Sequence, residues 1–184
     1  ANEEIDTIVN RVIRSKIKRQ NWENVELLII DEVSMLSLKL FKILDMIGRK
    51  IKKKDIPFGG IQLIFVGDFY QLPPIGNDDD KESSMFCFES ELFNNTFDKI
   101  ITLTKVFRQN DNTYKNLLLN MRKGLISKKS IELLNSKMID ENFDKNTTNI
   151  TRLVPTKSKA FEINSYFINN IRDKNFLKDI TRTS

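Results

Sequence analysis

Apolar positions along the chain fall into alternating helical and strand-like blocks. Ile5, Ile8, Val9, Val12, Ile13 and Ile17 share one face at helical spacing, with Arg11, Arg14 and Lys18 opposite, which predicts an amphipathic helix. Val25 to Ile30 is a short, mostly apolar run that stops at Asp31, too short for a helix and suited to a strand buried on both faces. Ser37 can cap a second helix whose buried stripe is Leu40, Phe41, Leu44, Ile47 and Ile51. Pro57, Gly59 and Gly60 predict a turn, and Ile61 to Val66 a second buried strand ending at Gly67-Asp68.

Beyond a loop at 71–84, with Pro73, Pro74, Gly76 and the acidic run Asp78 to Glu82, Ile100 to Thr104 reads as a third strand. Tyr114, Leu117, Leu118 and Met121 stack at helical spacing before a stop at Gly124. A short helix at 129–138, a polar stretch at 140–149, a strand at Ile150 to Val154 and a Thr156-capped helix burying Ala160, Ile163 and Phe167 complete the pattern. Strands alternating with helices predict an α/β fold with a largely parallel sheet flanked by helices.

Composition removes several chemistries. The 184 residues suffice for one large domain or two small ones. With no histidine, Ser-His-Asp triads, histidine general bases and histidine-liganded zinc are excluded. A single cysteine, Cys87, excludes an internal disulfide and fits a reducing compartment. No apolar run approaches the roughly 20 residues of a membrane span, and the first 20 residues are too charged for a secretory signal. The net charge of +5 is weak evidence for nucleic acid, because Ile, Lys and Asn, all with A/T-rich codons, make up 63 residues. Phosphoryl chemistry, carboxylate chemistry and binding survive.

Two strand ends carry candidate chemistry. Leu27-Leu28-Ile29-Ile30-Asp31-Glu32 is the Walker B pattern, with paired carboxylates where parallel sheets place ligands. Asp31 would hold Mg²⁺ and Glu32 would polarise an attacking water; the competing reading is an acidic pair that ends a strand and caps the next helix. The run Gly59 to Pro74 delivers Asp68 and Gln71 beside that pair, and a glutamine there can meet a γ-phosphate without adding negative charge. Its competitor is a plain strand followed by a proline-rich loop, with Asp68 as turn former. In Leu103-Thr104-Lys105-Val106-Phe107-Arg108-Gln109, Arg108 by itself reads most simply as solvated or salt-bridged. The basic run from Arg49 to Lys54 closes a helix, where positive charge suits the dipole.

Taken together, Ile30 to Met35, Gly59 to Pro74 and Thr104 to Gln109 resemble motifs II, III and IV of superfamily 1B DNA helicases, most closely the petite-integration-frequency (PIF-type) branch. Trp22 and Phe86-Cys87-Phe88-Glu89-Ser90 match that branch's spacing. The resemblance runs from about residue 20 to 125, and weakly through Leu153 to Asn164. It implies a RecA-like P-loop NTPase with two RecA-like domains, 1–104 contributing to the first and 105–184 beginning the second.

The resemblance further implies ATP-driven 5′-to-3′ unwinding, with Asp31 on Mg²⁺, Glu32 as catalytic base, Gln71 sensing the γ-phosphate and Gly67 and Asp68 shaping its loop. Arg108 would reach the phosphates from the second domain. Single-stranded DNA and DNA junctions are the implied partners of a monomeric enzyme acting in nucleus or mitochondrion. Phe69 or Tyr70 would stack on bases, and Thr156, Lys157 and Asn164, beside Pro155, would touch the DNA backbone.

The sequence departs from that family in one decisive way: no glycine is followed by Lys-Ser or Lys-Thr, so the phosphate-binding loop G-x-x-x-x-G-K-[ST] is absent. The expectation is a helicase fragment with little ATP turnover by itself. Two other readings stay open: a RecA-like module that binds DNA or a partner without catalysis, and a different P-loop ATPase, including a transposon-encoded helicase. The Gln71-Leu72-Pro73-Pro74 ending argues against an AAA-type machine.

Overall fold

A computed structural model describes residues 4–138 and 151–170. Contacts divide the chain into compact units of residues 1–130 and 131–184. The boundary after residue 104 implied by the resemblance therefore stays a proposal.

The first unit is built around helix α3 (Leu38–Lys52). Ser37 starts it, its Oγ accepting from the Leu40 amide at 3.2 Å, as the sequence predicts. The buried side differs from the predicted stripe: Leu40 is exposed, while Ile43 and Asp45 are buried with Phe41 and Ile47. The reason is that α3 is packed on two sides. One cluster joins Phe41 to Val33, Leu36, Phe58, Ile61 and Cys87, and the other joins Ile43 and Ile47 to Val9. Phe41 and Phe58 are wholly buried with ring centroids 5.3 Å apart, and each such side chain contributes about 1.5–3 kcal/mol of burial.

The predicted first helix is two helices, α1 (Ile5–Arg14) and α2 (Lys16–Asn24). Ser15 between them is extended, which turns Ile17 out of the apolar face and leaves it 75% exposed. Strands β1 (Leu27–Ile30) and β2 (Gln62–Phe65) pair in parallel, Leu27 opposite Gln62 and Ile30 opposite Phe65. This pair makes the chain α/β, yet the strands are not buried on both faces. Leu28, Ile30, Leu63 and Phe65 pack on the core, while Leu27, Ile29, Ile64 and Val66 are exposed. Alternate side chains point to opposite faces, and among the described residues no element covers the second.

The predicted strand at Ile100 to Thr104 does not form. Among the described residues no strand pairs with it, and Ile100, Ile101 and Leu103 stand exposed. The loop at 71–84 includes α4 (Lys81–Ser84) and is followed by α5 (Glu91–Thr96). Its acidic run is anchored to α3, Lys39 to Asp80 at 2.5 Å and Lys42 to Glu82 at 2.6 Å. Helix α6 (Asn112–Arg122) is capped by Asp111, whose Oδ1 accepts from the Thr113 and Tyr114 amides, and stops at Gly124.

Helix α7 (Lys128–Asn135) matches the short helix read at 129–138. In the second unit, Thr156 begins α8 (Lys157–Asn170), its Oγ1 accepting from the Lys159 amide at 3.2 Å. Ala160, Ile163 and Phe167 are half-buried, as the stripe predicts. Residues 151–154 form no strand, because among the described residues they have no pairing partner. Ile150 and the polar stretch at 140–149 lie outside the described residues.

Candidate nucleotide site at the sheet edge

The parallel register decides where the candidate residues meet. With Ile30 opposite Phe65, both strands run out at one edge, and the bonding continues past them: Val66 N–H donates to the Ile30 carbonyl at 2.8 Å and Val33 N–H to the Val66 carbonyl at 3.0 Å. Asp31 and Glu32 thus leave the sheet beside Gly67 and Asp68. Gly67 is required by proximity, since a Cβ there would lie 2.7 Å from the Val33 nitrogen. Asp31, Glu32, Asp68 and Gln71 share the carboxyl edge, where parallel sheets present ligand sites.

Asp31 and Glu32 are both exposed. Asp31 Oδ1 accepts from the Glu32 amide at 2.8 Å, a bond that orients the carboxylate. Glu32 has a left-handed backbone, φ 52° and ψ 44°, and its side chain caps nothing in the turn Val33–Met35 that follows. The cap of α3 belongs to Ser37 instead, so the helix-capping alternative for the acidic pair is not realised. No group of three metal-ligating acidic or cysteine side chains occurs among the described residues.

The 68–71 turn is tightly tied. The Asp68 carbonyl accepts from the Gln71 amide at 2.9 Å, and its Oδ1 from the Tyr70 amide at 3.1 Å. Its carboxylate is also gripped by Arg122 from α6, Nε to Oδ2 at 2.8 Å and Nη2 to Oδ1 at 2.7 Å. Arg122, aided by the Tyr70 amide and the Gln71 side chain, holds the Asp68 carboxyl below the usual carboxylate range despite partial desolvation. The same guanidinium lies 4.6 Å from the centre of the Tyr70 ring. Sequence reasoning missed Arg122, which sits 54 residues from Asp68 on an ordinary helix and carries no local motif.

Phe69 turns inward, its ring centroid 4.8 Å from Phe88 and 5.9 Å from Phe86. Tyr70 is therefore the exposed aromatic of the pair. Arg108 is exposed and makes no ion pair among the described residues, so the predicted salt-bridge alternative is absent there. The basic run follows its structural reading: Arg49 pairs with Asp45 and Asp55, Lys50 with Asp6, and Lys52 donates to the Glu23 and Val25 carbonyls. Thr156, Lys157 and Asn164 are exposed in the second unit.

A family model described as PIF1-like helicase matches residues 2–132. The ATP-dependent DNA helicase RRM3 of Saccharomyces cerevisiae is 45% identical over 123 residues, which is 67% of this chain and 17% of that protein. The crystal structure of Pif1 helicase from Candida albicans is similar with a TM-score of 0.79 at 29% identity, over 94% of this chain and 38% of that one. A Bacteroides Pif1 helicase in complex with ADP-AlF3 and single-stranded DNA is similar with a TM-score of 0.71 at 29% identity, over 87% of this chain and 39% of that one. The chain thus spans well under half the length of these relatives, and its α/β architecture is RecA-like.

Proposed function

The chain belongs to the PIF1-like helicase family, and from that premise we propose that it is the nucleotide-sensing centre of an ATP-dependent DNA helicase. The observation that supports this most directly is the Ile30–Phe65 register, which gathers two carboxylates and a sensor-type amide at one sheet edge. The whole protein couples ATP hydrolysis to 5′-to-3′ DNA unwinding in genome maintenance, in nucleus or mitochondrion, acting as a monomer on single strands and junctions.

The donor set fits Mg²⁺. Asp31 offers a single exposed carboxylate with one oxygen already oriented by the Glu32 amide, and Mg²⁺ is commonly held by one or two carboxylates together with substrate phosphates and water. Asp31 would hold that ion, which would supply charge neutralisation to the phosphates of a bound nucleotide. Glu32, exposed and engaged in no side-chain cap, takes the proton of the attacking water at a carboxylate oxygen. Gln71 donates its side-chain amide to the γ-phosphate, with Gly67 and Asp68 setting its turn. Arg108, exposed and without an ion pair among the described residues, reaches the same phosphate from the second RecA-like domain and offsets charge that grows in the transition state.

These 184 residues hold no G-x-x-x-x-G-K-[ST] loop to grip the β-phosphate, so the isolated chain turns over ATP weakly or not at all. Tyr70 stacks on a base, and Thr156, Lys157 and Asn164 contact the DNA backbone. The test is Glu32→Gln in the full-length protein. The amide keeps the shape of the side chain but accepts no proton, so nucleotide affinity stays near wild type while DNA-stimulated hydrolysis is abolished. Robust hydrolysis by that variant would move the base elsewhere.

A further inference from the structure

We propose that Arg122 is a positioning residue for Gln71, acting through Asp68. The inference rests on the sensor reading of Gln71 above.

The geometry is that of a clamp. Arg122 is the last residue of α6 and donates two parallel hydrogen bonds, Nε and Nη2, to the two oxygens of Asp68. Such a fork fixes the rotation of a carboxylate as well as its distance, which a point charge cannot do. Asp68 in turn makes the bonds that shape the turn, its Oδ1 accepting from the Tyr70 amide and its carbonyl from the Gln71 amide. The guanidinium also lies over the Tyr70 ring. Arg122 therefore touches the residues on the near side of Gln71, at the side chain of Asp68 and at the ring of Tyr70.

Gln71 itself is exposed, and its side chain hydrogen-bonds the same Asp68 carboxylate that Arg122 grips. Its posture depends on the 68–71 turn, and that turn is the first chain to leave β2 at the carboxyl edge. A shift of α6 would drag Asp68, and with it the position from which Gln71 meets a phosphate. The pair is partly solvent-exposed, with side-chain accessibilities of 42% for Arg122 and 22% for Asp68. Its worth to folding is correspondingly small, as for other exposed ion pairs. Its consequence lies in placement, where a displacement of about 1 Å can cost a hundredfold in rate.

The experiment is a double-mutant cycle in the full-length protein, reading kcat and KM for DNA-stimulated ATP hydrolysis together with melting temperature. Gln71→Ala lowers kcat. Arg122→Ala lowers kcat by roughly tenfold to a hundredfold, with KM for ATP little moved and melting temperature close to wild type. In the Gln71→Ala background the Arg122→Ala change costs almost nothing more, because both act at one point. Arg122→Lys recovers little, since the ammonium lacks the fork. Additive losses, or wild-type kcat in Arg122→Ala beside an impaired Gln71→Ala, would overturn the inference and leave the sensor reading standing. Wild-type kcat in Gln71→Ala would overturn the sensor reading, and the positioning role with it. Should Arg122→Ala fail to fold, Asp68→Asn decides: lowered kcat at wild-type melting temperature supports the clamp, and unchanged kcat refutes it.

Discussion

The buried amide of Phe58 donates a 2.7 Å hydrogen bond to Asp45 Oδ1, tying the middle of α3 to the turn that launches β2. Phe58 and Gly59 both have left-handed backbone, φ 52° and 66°, a conformation that an aromatic residue adopts only when its surroundings impose it. Close approach completes the junction, because a Cβ on Gly48 would lie 2.5 Å from the Phe58 oxygen and one on Gly59 2.4 Å from the Gly48 oxygen. Asp45 Oδ2 is meanwhile paired with Arg49 Nε at 2.8 Å. Where β2 starts, and hence where Asp68 and Gln71 emerge, is set at this junction.

Asp45→Ala leaves the Phe58 amide buried without an acceptor and lowers stability by about 1–3 kcal/mol. Asp45→Asn keeps an acceptor oxygen and loses only the pairing with Arg49, so its loss is smaller. Urea unfolding of both variants checks the order. An Asn variant as unstable as the Ala variant would show that charge, and not the Phe58 bond, holds the turn.

Arg108 lacks an ion pair among the described residues, so removing it leaves melting temperature unchanged. In the full-length protein, Arg108→Ala lowers turnover far more than it weakens nucleotide or DNA binding, and Arg108→Lys rescues poorly because the ammonium lacks the planar fork. Melting temperature and DNA-stimulated hydrolysis on the same variants test this. Lost stability with normal turnover would end the proposed role.

Acid should loosen the 68–71 turn. The Asp68 carboxyl titrates below the ordinary value of 3.8, first because of Arg122 and then because of the Tyr70 amide. A depressed carboxylate contributes stability that is fully present above its unfolded value and is lost as pH falls through the folded one. The contribution therefore persists at neutral pH and fades only below about pH 4. Carbon-detected titration of Asp68 in the wild type and in Arg122→Ala measures it, the variant moving the midpoint upward. An unmoved midpoint would mean that Arg122 does not govern the carboxylate in solution.

Cys87 is wholly buried in the main core, and burial pushes its thiol up to about 11 from an ordinary 9.0. Its neutral form is favoured in the fold, so this contribution to stability is complete below pH 9 and is lost as pH rises toward 11. A maleimide at pH 7 should label it only after unfolding. Rapid labelling of the native chain would show that the 87–89 turn opens readily.

The elements with strong local causes were legible in the sequence. Ser37 and Thr156 cap helices because their hydroxyls reach amides three residues on, and the apolar runs before Asp31 and Gly67 form strands as their composition predicts. The motif residues Asp31, Glu32, Asp68 and Gln71 could be named for the same reason, since each is tied to a strand end by a few residues of chain. Partners distant in sequence could not be read. Nothing in the residues around Arg122 points to Asp68, and nothing around Asp45 marks it as buried beneath Phe58, because those bonds exist only after α3, α6 and the two turns have packed. The same cause explains the failures: Ile100 to Thr104 has the composition of a strand, yet a strand is made by a neighbour's hydrogen bonds, and no described residue offers them. Local chemistry is written in adjacent residues, whereas register, burial and long-range ion pairs are decided by what packing brings within reach.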